Sequence, residues 1–393
     1  MMEQLSLILM IIGIILMFIQ FFPVPKKATI KSRQKNPNIG IIIPARDESQ
    51  VIETLLKSIK KQTTNVPMQN VYIIVENKKD ETVEIAKKYK VNILYRKNLN
   101  LKRKGYALQE ALDQINKKFD LFFIFDADNI LDEKYIEKMI LLYKKGYDIG
   151  VGYRNTKNGN QNMITSSSST MFAILNFLNT KTDNIVISGT GFFITGKLID
   201  KWHGYPFHSL TEDYELKIYS LAQNINCGFS KEAIFYDEQP TTMKTSIMQR
   251  TRWVKGFFQA RKKWLMDIIK SLKKKENRFL KIKEIFVITP YLFLITSIII
   301  NMIYHIIQFI QTKQIYDLFL ILITLIIIYI VLAIFTFIIL LNDYNLNLSK
   351  SMKIKTIFFQ PLFLVTFIHC AILAIVNREI KWQKIEHHYN EII

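Results

Sequence analysis

Cysteine is scarce in this chain: Cys227 and Cys370 are the two present in 393 residues. That excludes a disulfide framework and any cysteine-rich metal site. There is no G-x-G-x-x-G and no P-loop, so neither dinucleotide binding nor simple NTPase chemistry is indicated. Internal repeats and long disordered linkers are also lacking. Acidic residues run short, at 33 against 53 Lys and Arg, which leaves a formal charge of +20. The excess is uneven. Arg261–Lys283 carries ten Lys or Arg against Asp267 and Glu276, directly before an apolar block. Such a flank suits the anionic headgroups of an inner leaflet, and it calls for no nucleic-acid partner.

Charge is missing altogether from four blocks. Leu5–Phe22 has none over 18 residues, near the lower limit of the roughly 17–25 that cross a bilayer as a helix. Ile285–Gln311, Leu318–Leu341 and Thr356–Val376 are three longer ones. They account for 49% hydrophobic residues beside 22% charged. The first block is preceded by Glu3 rather than a basic cluster and is followed by no small-x-small cleavage site, so a retained anchor is expected rather than a signal peptide. Lys26, Lys27, Lys31, Arg33 and Lys35 follow it and place the soluble region on the cytoplasmic side. The expected organisation is an anchor over 1–25, a cytoplasmic domain over 36–264, a basic membrane-proximal segment over 265–284, transmembrane or interfacial helices over 285–376, and a tail over 377–393. This is a multi-pass protein of the cell membrane.

The soluble region alternates strands with helices. Asn38–Pro44, Val71–Val75, Val91–Tyr95 and Leu121–Phe125 read as buried strands. Helices are expected after Ala45–Ser49, with Asp47 or Ser49 as cap and Leu55, Leu56 and Ile59 inward, and over Glu81–Tyr89 and Tyr106–Ile115. The alternation predicts an α/β fold with a parallel sheet and a nucleotide-binding role. Met163–Leu178 is a further amphipathic segment.

The chemistry concentrates where Leu121–Phe125 stops on Asp126-Ala-Asp128. Ligands sit at the carboxyl ends of strands in open α/β sheets, and paired carboxylates there can hold a hard divalent cation on a diphosphate. An Asp-rich turn capping the next helix explains a lone D-x-D as well. Ser188-Gly-Thr-Gly191 allows close backbone approach to a ligand, although turn glycines are common. Thr211-Glu-Asp213 puts carboxylates at a helix start, where capping would explain one of them. Gln249-Arg-Thr-Arg-Trp253 joins phosphate-gripping guanidinium groups to an indole able to stack on a sugar; a basic helix lying on a membrane is the competing explanation. Trp382–His387 says little alone.

In order, IIIPARDES, VENKKDET, RKGYAL, FDADN, SGTGFF, LTEDYEL and QRTRW resemble the membrane-integrated family-2 glycosyltransferases, which include cellulose, hyaluronan, chitin and poly-N-acetylglucosamine synthases. The resemblance runs from about Ile39 to Trp253. It implies a GT-A-type fold inserted between transmembrane helices, a nucleotide-sugar donor (UDP-linked by expectation), and Mg²⁺ or Mn²⁺ as cofactor. Donor contacts fall on Pro44, Ala45, Arg46, Glu48, Glu76, Lys104, Asp126, Gln249, Arg250 and Arg252, and metal ligation on Asp126 and Asp128. Asp213 becomes the catalytic base of an inverting hexosyltransferase, with Thr190, Gly191, Glu212 and Trp253 on the acceptor side. Glu76 stands where the family usually has Asp, Lys78-Lys79 replaces small residues, and Arg103 replaces a commoner glycine. The product implied is a growing polysaccharide, made processively at the inner membrane face and exported. The alternative is transfer of one sugar to a membrane lipid. The bilayer is a partner in either case, and the architecture leaves room for an accessory membrane subunit. Three full spans after the domain would put the tail outside, whereas the family's tails lie near the active site. One block is therefore expected to be interfacial, with Ile285–Gln311 the best candidate.

Overall fold

The computed structural model describes residues 1–22, 24, 31–181 and 185–377. Lys26, Lys27 and the Trp382–His387 motif lie outside the described residues. Helix α1 (Met2–Phe21) leads into a sheet built first from β1 (Ile39–Pro44), β2 (Val71–Val75), β3 (Asn92–Tyr95) and β4 (Leu121–Ile124), joined by α2 (Ile52–Lys60), α3 (Thr82–Lys88) and α4 (Lys104–Gln114). These strands are continuous apolar runs because helices cover both faces and alternation has no solvent side to serve. β1 pairs in parallel with β2 on one side and β4 on the other. The chain thus reverses its direction of travel across the sheet between β1 and β4. Their carboxyl ends flank the crevice where α/β sheets bind ligands.

The second half contributes β5 (Ile130–Leu131), α5 (Tyr135–Lys144), β6 (Ile149–Thr156), α6 (Met163–Lys181), β7 (Phe192–Thr195), α7 (Gly196–Trp202), α8 (Glu212–Ala222), β8 (Cys227–Asp237) and α9 (Met243–Ser271). The strand order is β3-β2-β1-β4-β7-β6-β8-β5. β7 runs antiparallel to β4 and β6, so the sheet is mixed rather than wholly parallel. One core lies under α2, α3 and α5, around Ile41, Phe123 and Tyr135. The other lies under α4, α7 and α8, around Ile42, Phe122 and Phe207. Leu55, Leu56 and Ile59 are buried as expected. The expected caps are not used: the N-cap of α2 is Val51, and no side chain caps the helix. The Asp47 N–H instead donates to Asp80 (2.9 Å) and the Ser49 hydroxyl to Glu81 (3.0 Å), tying the loop after β1 to the loop after β2.

After α9 come α10 (Arg278–Ile285), α11 (Thr289–Thr312), α12 (Ile315–Asn342) and α13 (Lys350–Val376). Among the described residues, four helical stretches are long and apolar enough to cross a membrane: Met2–Gln20, Arg278–Thr312, Ile315–Asn342 and Lys350–Val376. α11 packs antiparallel on α1. Ser6 and Ser297 exchange hydroxyl-to-carbonyl hydrogen bonds of 3.0 and 2.8 Å, and Lys283 donates to the Phe22 carbonyl at 3.0 Å. Gly13 is required at this crossing, because a Cβ there would meet the Leu294 side chain at 2.8 Å. The junction with the α/β unit is polar and buried. Glu284 accepts from Lys217 and from the Tyr214 hydroxyl (2.6 Å), and Arg261 donates to the Glu284 and Ile285 carbonyls at 2.8 Å.

Candidate active site

β4 ends its apolar run at the centre of the sheet, so the residues after it are delivered to the crevice without freedom to drift. The turn is fixed by Asn129, fully buried, whose side-chain oxygen accepts from the Asp126 N–H (3.2 Å) and from the Thr190 hydroxyl, while its amide donates to Asp128 (3.2 Å). The Thr190 hydroxyl in turn accepts from the Asp126 N–H at 2.8 Å. The two carboxylates are therefore presented by a built turn rather than by a helix cap.

Lys104, at the start of α4, donates to Asp126 and to the Gly189 carbonyl (2.5 Å) and lies 3.9 Å from Glu212. Burial pulls the Lys104 ammonium down, but Asp126, Glu212 and Asp213 outweigh it and hold the group above its ordinary value. Gly189, at φ +84°, faces Asp213: a Cβ built there would stand 3.4 Å from Oδ2. At Gly191 a Cβ would collide with the Phe235 ring at 2.1 Å. Glycine is demanded at Gly189 by conformation and at Gly191, at φ +64°, by both conformation and space.

Glu212 and Asp213 open α8 without capping it; the N-cap is Thr211, which makes no side-chain capping bond. Burial pushes the Glu212 carboxyl up to about 7, against the pull of Lys104 and reinforced by Asp213. Burial also raises Asp213, opposed by the Tyr214 N–H and by the charges of Lys104, Arg154 and Arg252. Burial is thus what raises the proton affinity of the Asp213 carboxylate, against the pull of its cations.

Two participants were invisible as motifs. Arg154 on β6 forms a two-pronged ion pair with Asp237, donates to the Ser188 carbonyl, and lies 3.7 Å above the Phe172 ring. Asp237 closes β8, and burial together with nearby Asp128 pushes it up to about 6 against the pull of Arg154. Its Oδ1 is buried without a hydrogen-bond partner among the described residues. The next N–H, of Glu238, donates to Asp128 at 3.2 Å. An arginine inside an apolar strand, and D-E-Q-P ending another, were the signals available.

Across the crevice, Arg46 pairs with Glu76 at 2.5 Å, joining the carboxyl ends of β1 and β2. The Ala45 N–H donates to the Ile74 carbonyl (2.9 Å) and the Glu48 N–H to Thr82 (3.0 Å), so Pro44–Glu48 is held as one loop. Gln249, Arg252 and Trp253 share a face of α9, as residues three and four apart do. The Trp253 ring meets Phe172 edge-on at 6.0 Å, alongside Arg154.

Three of the expected site residues are engaged elsewhere in the structure. Arg250 does not reach the crevice. Helix residues advance by about 100° each, so Arg250 leaves the face of Gln249 and Arg252 and is buried against α13, donating to Thr366 Oγ1 (2.6 Å) and the Phe363 carbonyl (3.3 Å). The polar groups of Thr190 and Gly191 are taken up within the fold. Thr190 is fully buried in the acidic turn, and the Gly191 N–H and carbonyl are spent on Ile124 and Gly152.

Among the described residues no three His, Cys, Asp or Glu side chains form a ready metal cage. Asp126 and Asp128 nonetheless fit a hard cation that takes its remaining oxygens from a diphosphate and water, and the acidic surroundings favour positive charge.

The sequence profile described as glycosyltransferase-like family 2 matches residues 37–256. The chain is 27% identical over 293 residues to the "Probable glycosyltransferase YdaM" of Bacillus subtilis (strain 168), covering 68% of this chain and 66% of that protein. It is 23% identical over 235 residues to the β-monoglucosyldiacylglycerol synthase of Nostoc sp. (strain PCC 7120), covering 57% and 49%. The chain thus spans about two thirds and about half of these relatives. The mannosyltransferase PcManGT of Pyrobaculum calidifontis, solved with GDP-Man and Mn²⁺, shares the fold with a TM-score of 0.64 at 12% identity, covering 96% of this chain and all of that one.

Replacing Glu212 with Gln is expected to raise the melting temperature at pH 8 and to change it little near pH 5. A carboxyl raised in the folded state costs stability as pH climbs from its unfolded value of 4.5 to about 7, by up to about 3 kcal/mol. Thermal melts without nucleotide or metal measure this; an equal change at both pH values would contradict the burial argument.

Proposed function

The chain belongs to the glycosyltransferase-like family 2, and from that premise we propose an inverting, divalent-metal-dependent transfer of a hexose from a nucleotide sugar to a hydroxyl presented at the membrane surface. The observation that carries the reading is the placement of Asp213 opposite the Asp126–Asp128 turn, bridged by Lys104 and Gly189. A diphosphate held at the acidic turn points its sugar into the gap between these two groups.

The nucleoside would lie over the carboxyl ends of β1 and β2, against Arg46 and Glu76. Asp126 and Asp128 would hold Mg²⁺ or Mn²⁺, which when bound neutralises charge on the diphosphate. Arg252 and Lys104 supply fixed positive charge for the nucleoside diphosphate as it departs. Asp213 takes the acceptor hydroxyl proton while that oxygen forms a bond to the anomeric carbon and the carbon–phosphate-oxygen bond breaks. One displacement inverts the centre, giving a β-linkage from an α-linked donor. Arg154, held by Asp237, keeps the Ser188–Gly191 loop and the Phe172 ring in place under Trp253, which offers its indole to the acceptor.

A lipid-borne acceptor is the reading favoured here. Phe172, which supports Trp253, belongs to a helix whose far side packs on α12 and α13, so the acceptor side borders the apolar helices. The glycolipid-synthase relative supports a single transfer onto such an acceptor. The sequence favours chain extension through its Q-x-x-R-W pattern, and that is the second reading.

Asp213→Asn should lower transfer by about 10²–10⁴-fold while leaving nucleotide-sugar affinity nearly unchanged. Near-normal turnover would reduce Asp213 to a structural carboxylate. Membranes supplied with a panel of labelled nucleotide sugars should yield a product of one size that extracts into organic solvent. Long, water-soluble chains would overturn the lipid reading in favour of polymerisation.

A further inference from the structure

One strand end brings a third carboxylate to the acidic turn from a distant part of the chain. β5 pairs antiparallel with β8, with Ile130 opposite Tyr236. The same register carried back two residues sets Asp128 opposite Glu238, and the Glu238 N–H donates to Asp128 Oδ2 at 3.2 Å. Asp237, the last residue of β8, therefore stands beside Asp128. In the pairing of β8 with β6 it lies opposite Thr156, so its side chain shares a face with Arg154, two residues back along β6.

The Asp237 carboxylate is held by one oxygen only. Its Oδ2 accepts three hydrogen bonds, from Arg154 Nε (2.9 Å), Arg154 Nη2 and Gln239 Nε2 (2.7 Å). Its Oδ1 accepts none among the described residues, although the residue is only 2% exposed. Buried polar atoms are nearly always hydrogen-bonded, and an exception calls for a water, an ion or a catalytic role. Three donors on Oδ2 fix the plane of the group, so Oδ1 has no freedom to turn toward another protein donor. Arg154 is already spent on Oδ2 and on the Ser188 carbonyl. Asp128 brings only further negative charge to Asp237. What satisfies Oδ1 beside it must therefore carry positive charge or donate hydrogen.

We propose that Asp237 is a third carboxylate of the cation site, its Oδ1 accepting a hydrogen bond from a water on the cation that Asp126 and Asp128 hold. The inference rests on the metal-dependent reading above and adds to it a residue from outside the D-x-D turn. Its role is that of a positioning residue. Among the described residues no three such side chains close a cage, and a hard cation held by two carboxylates keeps several waters. Outer partners of this kind orient what touches the metal, and losing one typically costs about 10–100-fold in metal affinity. Arg154 gives the arrangement a second reach, because its charge also falls on Asp213. The Arg154–Asp237 pair thus lies between the cation site and the general base.

Calorimetric titration of the purified full-length protein with UDP, in EDTA and at a series of Mn²⁺ concentrations, tests this. Asp237→Asn should need about 10–100-fold more Mn²⁺ than wild type for half of the metal-dependent gain in UDP affinity. Its affinity for UDP in EDTA should not fall. Arg154→Gln breaks the same ion pair but keeps the carboxylate, and its Mn²⁺ requirement should not rise. An unchanged requirement in Asp237→Asn would overturn the proposal. So would an equal rise in both variants, or weaker UDP binding by Asp237→Asn in EDTA, since either makes Asp237 only the anchor of Arg154. If Asp237→Asn alone does not fold, the double variant Arg154→Gln/Asp237→Asn removes both buried charges together and is read against Arg154→Gln in the same way. A wild-type protein with no gain from Mn²⁺ would instead bring down the metal-dependent reading on which the proposal rests.

Discussion

Negative charge withdrawn from water is the constraint around which this site is built. Asp126, Glu212, Asp213 and Asp237 converge with Asp128 on one crevice, and a buried carboxylate must be paired, hydrogen-bonded or protonated. Lys104 answers Asp126 and Glu212, and Arg154 answers Asp237. Burial still holds Glu212 and Asp237 well above the ordinary carboxylate range. The acidity left over is what a divalent cation would offset on binding, so the resting site is poised rather than relaxed. Each cation also fixes backbone. Lys104 holds the Gly189 carbonyl and Arg154 the Ser188 carbonyl, which keeps the glycine loop against Asp213.

α9 connects this arrangement to α13. One face packs on α8 through Gly256 and Thr211, and through Phe257 stacked on Tyr214 at 4.9 Å. A second face offers Gln249, Arg252 and Trp253 to the crevice. A third sends Arg250 and Lys255 into α13. Trp253, Asp213 and α13 are thereby tied to one rigid element.

The parallel half of the sheet was legible in the sequence because its strands are unbroken apolar runs ended by Pro44, Glu76 and Asp126, residues that stop a strand for local reasons. The antiparallel half was not, since β7 takes its place from pairing with β4 and β6, a long-range fact with no local signature. Asp126, Asp128, Glu212 and Asp213 could be found as carboxylates at element ends. Arg154 and Asp237 could not, because a buried ion pair across two strands is written in two distant segments. Arg250 and Arg252 look equivalent in the chain, and only the position of α13 tells which of them serves the crevice. The place of Thr190 was hidden for a similar reason: its hydroxyl faces inward to the acidic turn, and sequence does not show which way a loop side chain turns.

The central claim is that the acidic turn after β4 exists to hold a cation on a nucleoside diphosphate. Calorimetric titration of the purified protein with UDP, in Mn²⁺ and in EDTA, tests it directly. The account predicts affinity at least about tenfold higher with Mn²⁺, worth about 1.4 kcal/mol, and loss of that difference in Asp128→Ala. Equal affinity with and without the metal in the wild-type protein would contradict it.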